Sequence, residues 1–97
     1  MNFDELIQSD KPVLVDFYAE WCGPCKWMFP LLDELKERIG DQAEIIKIDV
    51  DQYPELAGRY KIRTVPTLII FRNKEIRWRQ SGAFPVNELE RLMEENK

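Results

Sequence analysis

Two cysteines, Cys22 and Cys25, are the residues whose type and spacing point most clearly to chemistry in this sequence. They stand three apart in the segment Cys-Gly-Pro-Cys. On the first turn of a helix, positions three apart lie on the same side, so the two sulfurs can form a disulfide. The free N–H groups and the positive dipole end of the helix favour a thiolate on the first cysteine. Because the thiolate is the nucleophile in thiol–disulfide exchange, the motif predicts redox chemistry.

Two other interpretations of the cysteine pair are open. A structural disulfide stabilises mainly by closing a long loop, whereas this one closes only a few residues. Half of a zinc site shared between two chains is also possible, because two thiolates cannot complete a four-ligand site in one chain. Neither interpretation explains why the motif follows an apolar strand and opens a helix, so we favour the redox interpretation.

The composition narrows the remaining classes of function. The 97 residues include no histidine, which excludes Ser-His-Asp catalysis, Cys-His catalysis and histidine-containing metal sites. The net charge of −4 weighs against a role in coating nucleic acid. No apolar run approaches the roughly 18 residues that span a membrane, and residues 1–5 lack the basic start of a secretory signal. We expect one domain over residues 1–97.

The elements that would position the cysteines alternate between helices and strands. Residues 13–18 are almost all apolar, which is typical of a strand buried on both faces. After the cysteines, Met28, Leu32, Leu35 and Ile39 lie on one face of a helix. The predicted helices cover residues 4–8, 22–39, 55–60 and 85–95, and the predicted strands cover residues 13–18, 45–50, 67–71 and 75–81.

This order, αβαβαββα, predicts a three-layer α/β/α sandwich with a mixed central sheet. Strands separated by helices are expected to pair in parallel, and the last hairpin, turning at residues 72–74, adds an antiparallel strand. In that strand, period-two alternation predicts Ile76 and Trp78 on one face and Arg77 and Arg79 on the other. In the last helix, the expected buried residues are Val86, Leu89, Leu92 and Met93.

An acidic residue, Asp16, interrupts the apolar strand just before the cysteines. Burying a carboxylate as an ion is costly, so its pKa should rise. Such a group can accept a proton from a nearby thiol, through water. The alternative is that Asp16 faces solvent from a half-exposed strand.

Three segments resemble the thioredoxin family. Residues 13–26, Val-Leu-Val-Asp-Phe-Tyr-Ala-Glu-Trp-Cys-Gly-Pro-Cys-Lys, resemble its active-site segment. Residues 64–68, Thr-Val-Pro-Thr-Leu, resemble its cis-proline segment, and Gly82-Ala83 resembles its loop before the last helix. The match runs from about Val13 to the C-terminus in the family's order and spacing. It implies a thioredoxin-like fold whose sheet has four strands, with the first family strand missing.

The resemblance also implies catalytic roles. Cys22 would be the exposed attacking cysteine and Cys25 the buried resolving cysteine. Asp16 matches the family's buried aspartate, the proton acceptor for the resolving thiol. Lys47 matches the lysine beside it, which would tune Asp16, although it could equally be an exposed residue.

A docking surface for the substrate's extended backbone is implied as well. Pro66 would carry a cis bond after Val65 and lie against the disulfide. Because X-Pro bonds are mostly trans, the cis prediction rests on the resemblance alone. The residues expected to form this surface are Trp21, Gly23, Pro24, Val65, Pro66 and Gly82.

The activity implied is that of a protein-disulfide reductase without a bound cofactor or metal. A thioredoxin reductase would supply electrons to a monomeric protein, which passes them to disulfide-bearing substrate proteins. Two alternatives are a redox-independent binding module and an oxidising or isomerising member of the family. A dithiol without further cysteines fits the reducing cytoplasm.

Several basic residues in the second half of the chain have no role in this scheme. They could form a basic face for a partner, although solvated surface charge is the usual explanation. These residues are Arg59, Lys61, Arg63, Arg77 and Arg79.

Overall fold

A computed structural model describes all 97 residues, in four strands and four α-helices around one sheet. The ends of the elements differ from the prediction by no more than one residue. None of the helices is long and apolar enough to cross a membrane. The helices are α1 (Phe3–Ile7), α2 (Gly23–Ile39), α3 (Pro54–Arg59) and α4 (Val86–Glu95), and the strands are β1 (Val13–Tyr18), β2 (Glu44–Asp49), β3 (Thr67–Arg72) and β4 (Glu75–Ser81).

The sheet lies between two helical layers, which confirms the predicted sandwich and its four strands. Its strand order is β2-β1-β3-β4. One face packs against α2 and α4, and the other packs against α1 and α3. Because side chains alternate along a strand, Leu14 and Asp16 of β1 face α2 and α4, whereas Val15 and Phe17 face α1. The predicted helical face of α2 is fully buried, while Val86 of α4 is only half-buried.

The direction of β3 differs from the expectation that strands separated by helices pair in parallel. β1 and β2 are parallel, but β3 runs antiparallel to both β1 and β4. The helix α3 has six residues and is roughly 9 Å long, whereas a six-residue strand extends roughly 20 Å. This short helix does not carry the chain back along the sheet, so β3 begins at the end where β1 and β2 stop.

A β-bulge at Arg77 overturns the predicted faces of β4. Ile70 pairs with Trp78 and Phe71 pairs with Ile76, so Arg77 is an extra residue between them. Directly paired residues share a face. Trp78 therefore packs on the α2 and α4 side, as Ile70 does, and Ile76 lies on the opposite side with its partner Phe71. Simple alternation could not reveal this shift, because the bulge moves the pattern by one residue.

The turn between β3 and β4 has two residues in left-handed conformation. Asn73 has a φ of 52° and Lys74 a φ of 69°. Positive φ at both central positions is the pattern of a type I′ turn, whose twist matches that of the flanking strands. The Cβ of either residue meets the neighbouring carbonyl there, but the short polar side chain of asparagine can offset this by a local hydrogen bond, which lysine cannot make. The hairpin thus carries local strain at Lys74.

Replacing Lys74 with glycine should raise the free energy of unfolding by roughly 0.5–1 kcal/mol. Glycine adopts positive φ without the Cβ penalty, and this gain exceeds its larger entropy in the unfolded chain. Urea denaturation measures the change. Lys74→Ala is the matched control, since it removes the same charge and keeps the strained backbone. An equal gain in both variants would attribute the effect to charge and contradict the prediction.

Candidate active site

The two cysteines lie at the N-terminus of α2 and are joined by a disulfide. Their Cα atoms are 5.3 Å apart. Cys22 is the N-cap residue, and its Sγ accepts a hydrogen bond from the Cys25 backbone N–H at 3.2 Å. Gly23 and Pro24 form the start of the helix, where the missing N–H of proline leaves no intrahelical bond unmade. The same N–H that contacts the disulfide is placed to stabilise a negative sulfur on Cys22 in the reduced protein.

Cys22 is less accessible than its expected role as an exposed cysteine suggests. Its exposed fraction is 5 %, and that of Cys25 is 0 %. The carbonyl oxygen of Val65 lies 3.6 Å from Cys22 Sγ and covers one side of it. Neither sulfur of a disulfide carries a proton, so this is a packing contact here, and a reduced Cys22 thiol could donate to it. Cys22 is still the more accessible residue of the pair.

The loop that carries Val65 has the expected cis bond between Val65 and Pro66. The backbone N–H of Gly82 donates to the Pro66 carbonyl at 2.8 Å. Gly82 has a φ of +103°, a region that side chains with a Cβ rarely adopt, so glycine is required at this corner. Val65 thus contacts Cys22, and Gly82 is held against Pro66. Pro66 is buried, whereas Val65 and Gly82 are half-buried, and the docking role of the three residues stays a prediction.

Two hydroxyl groups hold the same loop, and the sequence analysis did not find them. Thr67 Oγ1 donates to the Thr64 carbonyl at 2.7 Å, and its oxygen lies 3.0 Å from Ser81 Oγ. Because the single proton of Thr67 is already donated, Ser81 must be the donor to Thr67. The hydroxyls link the start of β3 and the end of β4 to the loop just before Val65. The sequence signal was weak, since it required knowing that Thr67 and Ser81 pair across the sheet.

Trp21 lies on the surface before Cys22 and is 73 % exposed. Its indole N–H donates to the Asp51 carboxylate at 3.0 Å. The Asp51 backbone N–H in turn donates to Asp49 Oδ1 at 2.9 Å. Asp51 was not predicted as a site residue. The ends of the parallel strands β1 and β2 meet at one edge of the sheet, and this adjacency was the signal that could have found it.

Replacing Asp51 with alanine should raise the KM for a protein disulfide by roughly two- to fivefold with little change in kcat, as expected for losing one exposed hydrogen bond to a charged group. The freed indole of Trp21 would sample more rotamers, and ordering it on substrate binding would then cost entropy. Steady-state kinetics measure the effect. Asp41→Ala, a change at an exposed acid after α2, is the control. A fall in kcat with unchanged KM would contradict this explanation.

Asp16 is completely buried, so the solvent-facing alternative is wrong. Neither of its carboxylate oxygens has a hydrogen-bond partner. Burial raises the pKa of Asp16 to about 7, and the positive charge of Lys47 lowers it by a smaller amount. Asp16 points to the face that α2 covers, which is the helix that carries the cysteines.

Lys47 is the neighbour of Asp16 in the parallel pairing of β1 and β2. It makes no ion pair with Asp16, because its Nζ lies over the ring of Phe29, 4.8 Å from the ring centre. The side chain is exposed. Any effect of Lys47 on Asp16 is therefore exerted by its charge at a distance, and its tuning role stays a prediction.

Comparison with known proteins identifies the family. The thioredoxin family model matches residues 1–95. The chain is 52 % identical over 89 residues to thioredoxin Y, chloroplastic, of Oryza sativa subsp. japonica, covering 91 % of this chain and 53 % of that protein. It is 40 % identical over 86 residues to a thioredoxin of Rickettsia prowazekii, covering 89 % of this chain and 82 % of that protein.

A solved structure gives the same result. A mutant thioredoxin from Halobacterium salinarum NRC-1 matches with a TM-score of 0.88 at 37 % identity, over 97 % of this chain and 81 % of that chain. The chain spans about half the length of the chloroplastic relatives it matches. Sequence, fold and the position of the cysteine pair agree, and the chain belongs to the thioredoxin family.

Proposed function

We propose that this protein reduces protein disulfides by dithiol–disulfide exchange through Cys22 and Cys25. The observation that carries the proposal is the disulfide at the N-terminus of α2, whose Cys22 sulfur accepts a backbone N–H. An N–H donor and a helix N-terminus stabilise the Cys22 thiolate that attacks the target. The neighbouring loop with Pro66 supports the proposal, because it offers a surface beside the reactive sulfur.

The first step forms a mixed disulfide. The Cys22 thiolate attacks one sulfur of the target disulfide, the target S–S bond breaks, and the second target sulfur leaves as a thiolate that takes a proton from water. The target is thereby half reduced and covalently attached to Cys22. Trp21, Gly23, Pro24, Val65, Pro66 and Gly82 are the residues proposed to hold its backbone.

The second step releases the target. Cys25 gives its proton to the Asp16 carboxylate, through water, and its thiolate attacks Cys22 Sγ. The mixed disulfide breaks, the target's first sulfur leaves as a thiolate, and the Cys22–Cys25 disulfide forms. A pKa of about 7 allows Asp16 to accept and release a proton near neutral pH. Two electrons have passed to the target, and a reductase must return them.

No bound cofactor is needed for these steps. We propose a thioredoxin reductase as the electron donor, a monomeric working state, and the cytoplasm as the location. The absence of other cysteines supports a reducing compartment. The names of the rice and Arabidopsis relatives place those proteins in the chloroplast.

Catalysed reduction of a protein disulfide by dithiothreitol tests the proposed function. The wild-type protein should accelerate the reduction. The Cys22→Ser variant should lower the rate to that of the uncatalysed reaction, because serine cannot form the mixed disulfide. Wild-type activity no greater than that of Cys22→Ser would overturn the proposal. The reduction potential of the Cys22–Cys25 pair then distinguishes a reductase from an oxidising or isomerising protein.

A further inference from the structure

Two groups of charged residues lie at the end of the sheet that carries the disulfide. The end of the sheet that carries the site is where β1 and β2 stop, β3 begins and β4 stops. Asp49 and Asp51 lie at the β2 side of this end, next to Trp21. Lys61, Arg63 and Arg79 lie at the β3 and β4 side, and we call these three residues the basic flank. The strand order therefore places these two acidic residues and the basic flank on opposite sides of the site, while exposed Lys26 follows Cys25 on α2 and belongs to neither group.

The basic flank is not neutralised within the molecule. The ion pairs of the protein involve Arg38, Arg59, Arg91 and Lys97, and none involves a residue of the flank. The Arg79 guanidinium donates instead to the backbone carbonyls of Tyr60 and Lys61. These bonds place the charge of Arg79 beside Lys61 and leave it without a counter-ion.

One residue of the flank is next to the loop that contacts the reactive sulfur. Arg63 is two residues before Val65, whose carbonyl oxygen lies 3.6 Å from Cys22 Sγ. Two residues of chain span at most about 7 Å between Cα atoms, so the backbone of Arg63 lies within that distance of the backbone of Val65. A polypeptide that brings its disulfide to Cys22 along this loop must pass the flank.

We propose that the basic flank selects partner proteins that carry acidic side chains beside the reactive disulfide. The inference rests on the proposed function and specifies its substrate class. Acidic side chains over the loop would meet Arg63 and Lys61, while the same side chains over Trp21 would be repelled by Asp51. The charges thus fix the direction in which the partner segment lies across Cys22, as well as its composition. Ten of the 14 lysines and arginines make no ion pair, so what distinguishes the flank is the position of Arg63, two residues before the Val65 that contacts Cys22.

Three peptide disulfides of equal length test the proposal, with glutamate, glutamine or lysine flanking the same cysteine pair. Their kcat/KM values are measured at about 20 mM and about 500 mM salt, which differ several-fold in screening length. The acidic peptide should be preferred over the lysine peptide by roughly tenfold or more at low salt, and this preference should shrink at high salt.

A double variant assigns the preference to the flank. Lys61→Gln/Arg63→Gln should lower kcat/KM for the acidic peptide by roughly three- to tenfold and leave the glutamine peptide unchanged. The matched control is Lys11→Gln/Lys74→Gln, which removes two exposed charges at the opposite end of the sheet and should change neither rate. Arg79 is kept, because its bonds to the loop would confuse a charge effect with a structural one.

Four results would overturn the inference, and they differ in which other conclusions they leave intact. Equal kcat/KM values for the three peptides would contradict the selecting role of the flank and leave the proposed reductase function intact. An equal loss of kcat/KM in Lys61→Gln/Arg63→Gln and in the control variant would attribute the effect to net charge rather than to the flank. Binding of single-stranded DNA or anionic vesicles that the double variant abolishes, without any peptide preference, would assign the flank to phosphate groups instead. If no peptide is reduced faster than by Cys22→Ser, the proposed function fails and the inference with it.

Discussion

Replacing Asp16 with asparagine should stabilise the protein at about pH 8 by roughly 2–4 kcal/mol, and by less than about 1 kcal/mol at about pH 4. The carboxyl group is completely buried and has no hydrogen-bond partner. Ionising it in the folded protein is therefore costly, and the amide has no charge to desolvate. The gain in the free energy of unfolding should be largest at pH values at which Asp16 is ionised in the wild type.

The sign follows from the two pKa values of the group. Burial raises the folded-state pKa of Asp16 from 3.8 to about 7. Between these values the folded protein holds a proton that the unfolded chain has lost, so the stability of the wild type falls as pH rises. The full penalty, roughly 4 kcal/mol for three pKa units, is present above the folded pKa. Below 3.8 the carboxyl is protonated in both states, and the penalty disappears.

Urea denaturation of the oxidised protein at the two pH values measures this difference. Asp33→Asn is the matched control, because it removes the same charge from the exposed surface of α2. We expect that control to change the stability little at either pH. A gain from Asp16→Asn that is the same at both pH values would attribute it to packing rather than to ionisation, and the prediction would be wrong.

The loss of folding stability caused by buried Asp16 is linked to its proposed role as a proton acceptor. A carboxyl that ionises near neutral pH is suited to accept a proton from Cys25, and the burial that raises its pKa also destabilises the fold. The stabilised Asp16→Asn variant should therefore release targets more slowly. Its mixed-disulfide intermediate would accumulate at neutral pH. Stability and activity are expected to change in opposite directions at this one residue.

Local patterns in the sequence predicted the parts of the fold that depend on local physics. The apolar run at residues 13–18 became the buried β1, and the spacing of Met28, Leu32 and Leu35 became the buried face of α2. The Cys-Gly-Pro-Cys segment placed the disulfide at a helix start, where its chemistry depends on the helix itself. These features involve only neighbouring residues, so the chain order was sufficient to find them.

Features that depend on pairing between distant segments were missed. The antiparallel direction of β3 depends on a connection whose helix is too short to carry the chain back along the sheet, and the bulge at Arg77 depends on register with Phe71. Asp51 became a site residue only because β1 and β2 end side by side. The position of the Lys47 side chain also depends on a distant segment, because its Nζ lies over the ring of Phe29 in α2 instead of pairing with Asp16.

Replacing Cys25 with serine should stop turnover and trap the target as a covalent adduct on Cys22. The attacking sulfur is retained, so the first mixed disulfide still forms. The resolving sulfur is lost, and with it an intramolecular attack that proceeds at a very high effective concentration. Release then depends on external thiol alone. Non-reducing electrophoresis and mass spectrometry should detect a stoichiometric adduct, and dithiothreitol should cleave it.

The double variant Cys22→Ser/Cys25→Ser is the matched control and should form no adduct, because it lacks the attacking sulfur. The pair of variants also separates the proposed reductase from a redox-independent binding module. Such a module would bind partners through the surface around Trp21 and Pro66 and would not need either sulfur. Non-covalent complexes of equal yield in the wild type, in Cys25→Ser and in the double variant would favour the module. Adducts confined to Cys25→Ser require a nucleophilic sulfur on Cys22, which is the chemistry that the helix N-terminus favours.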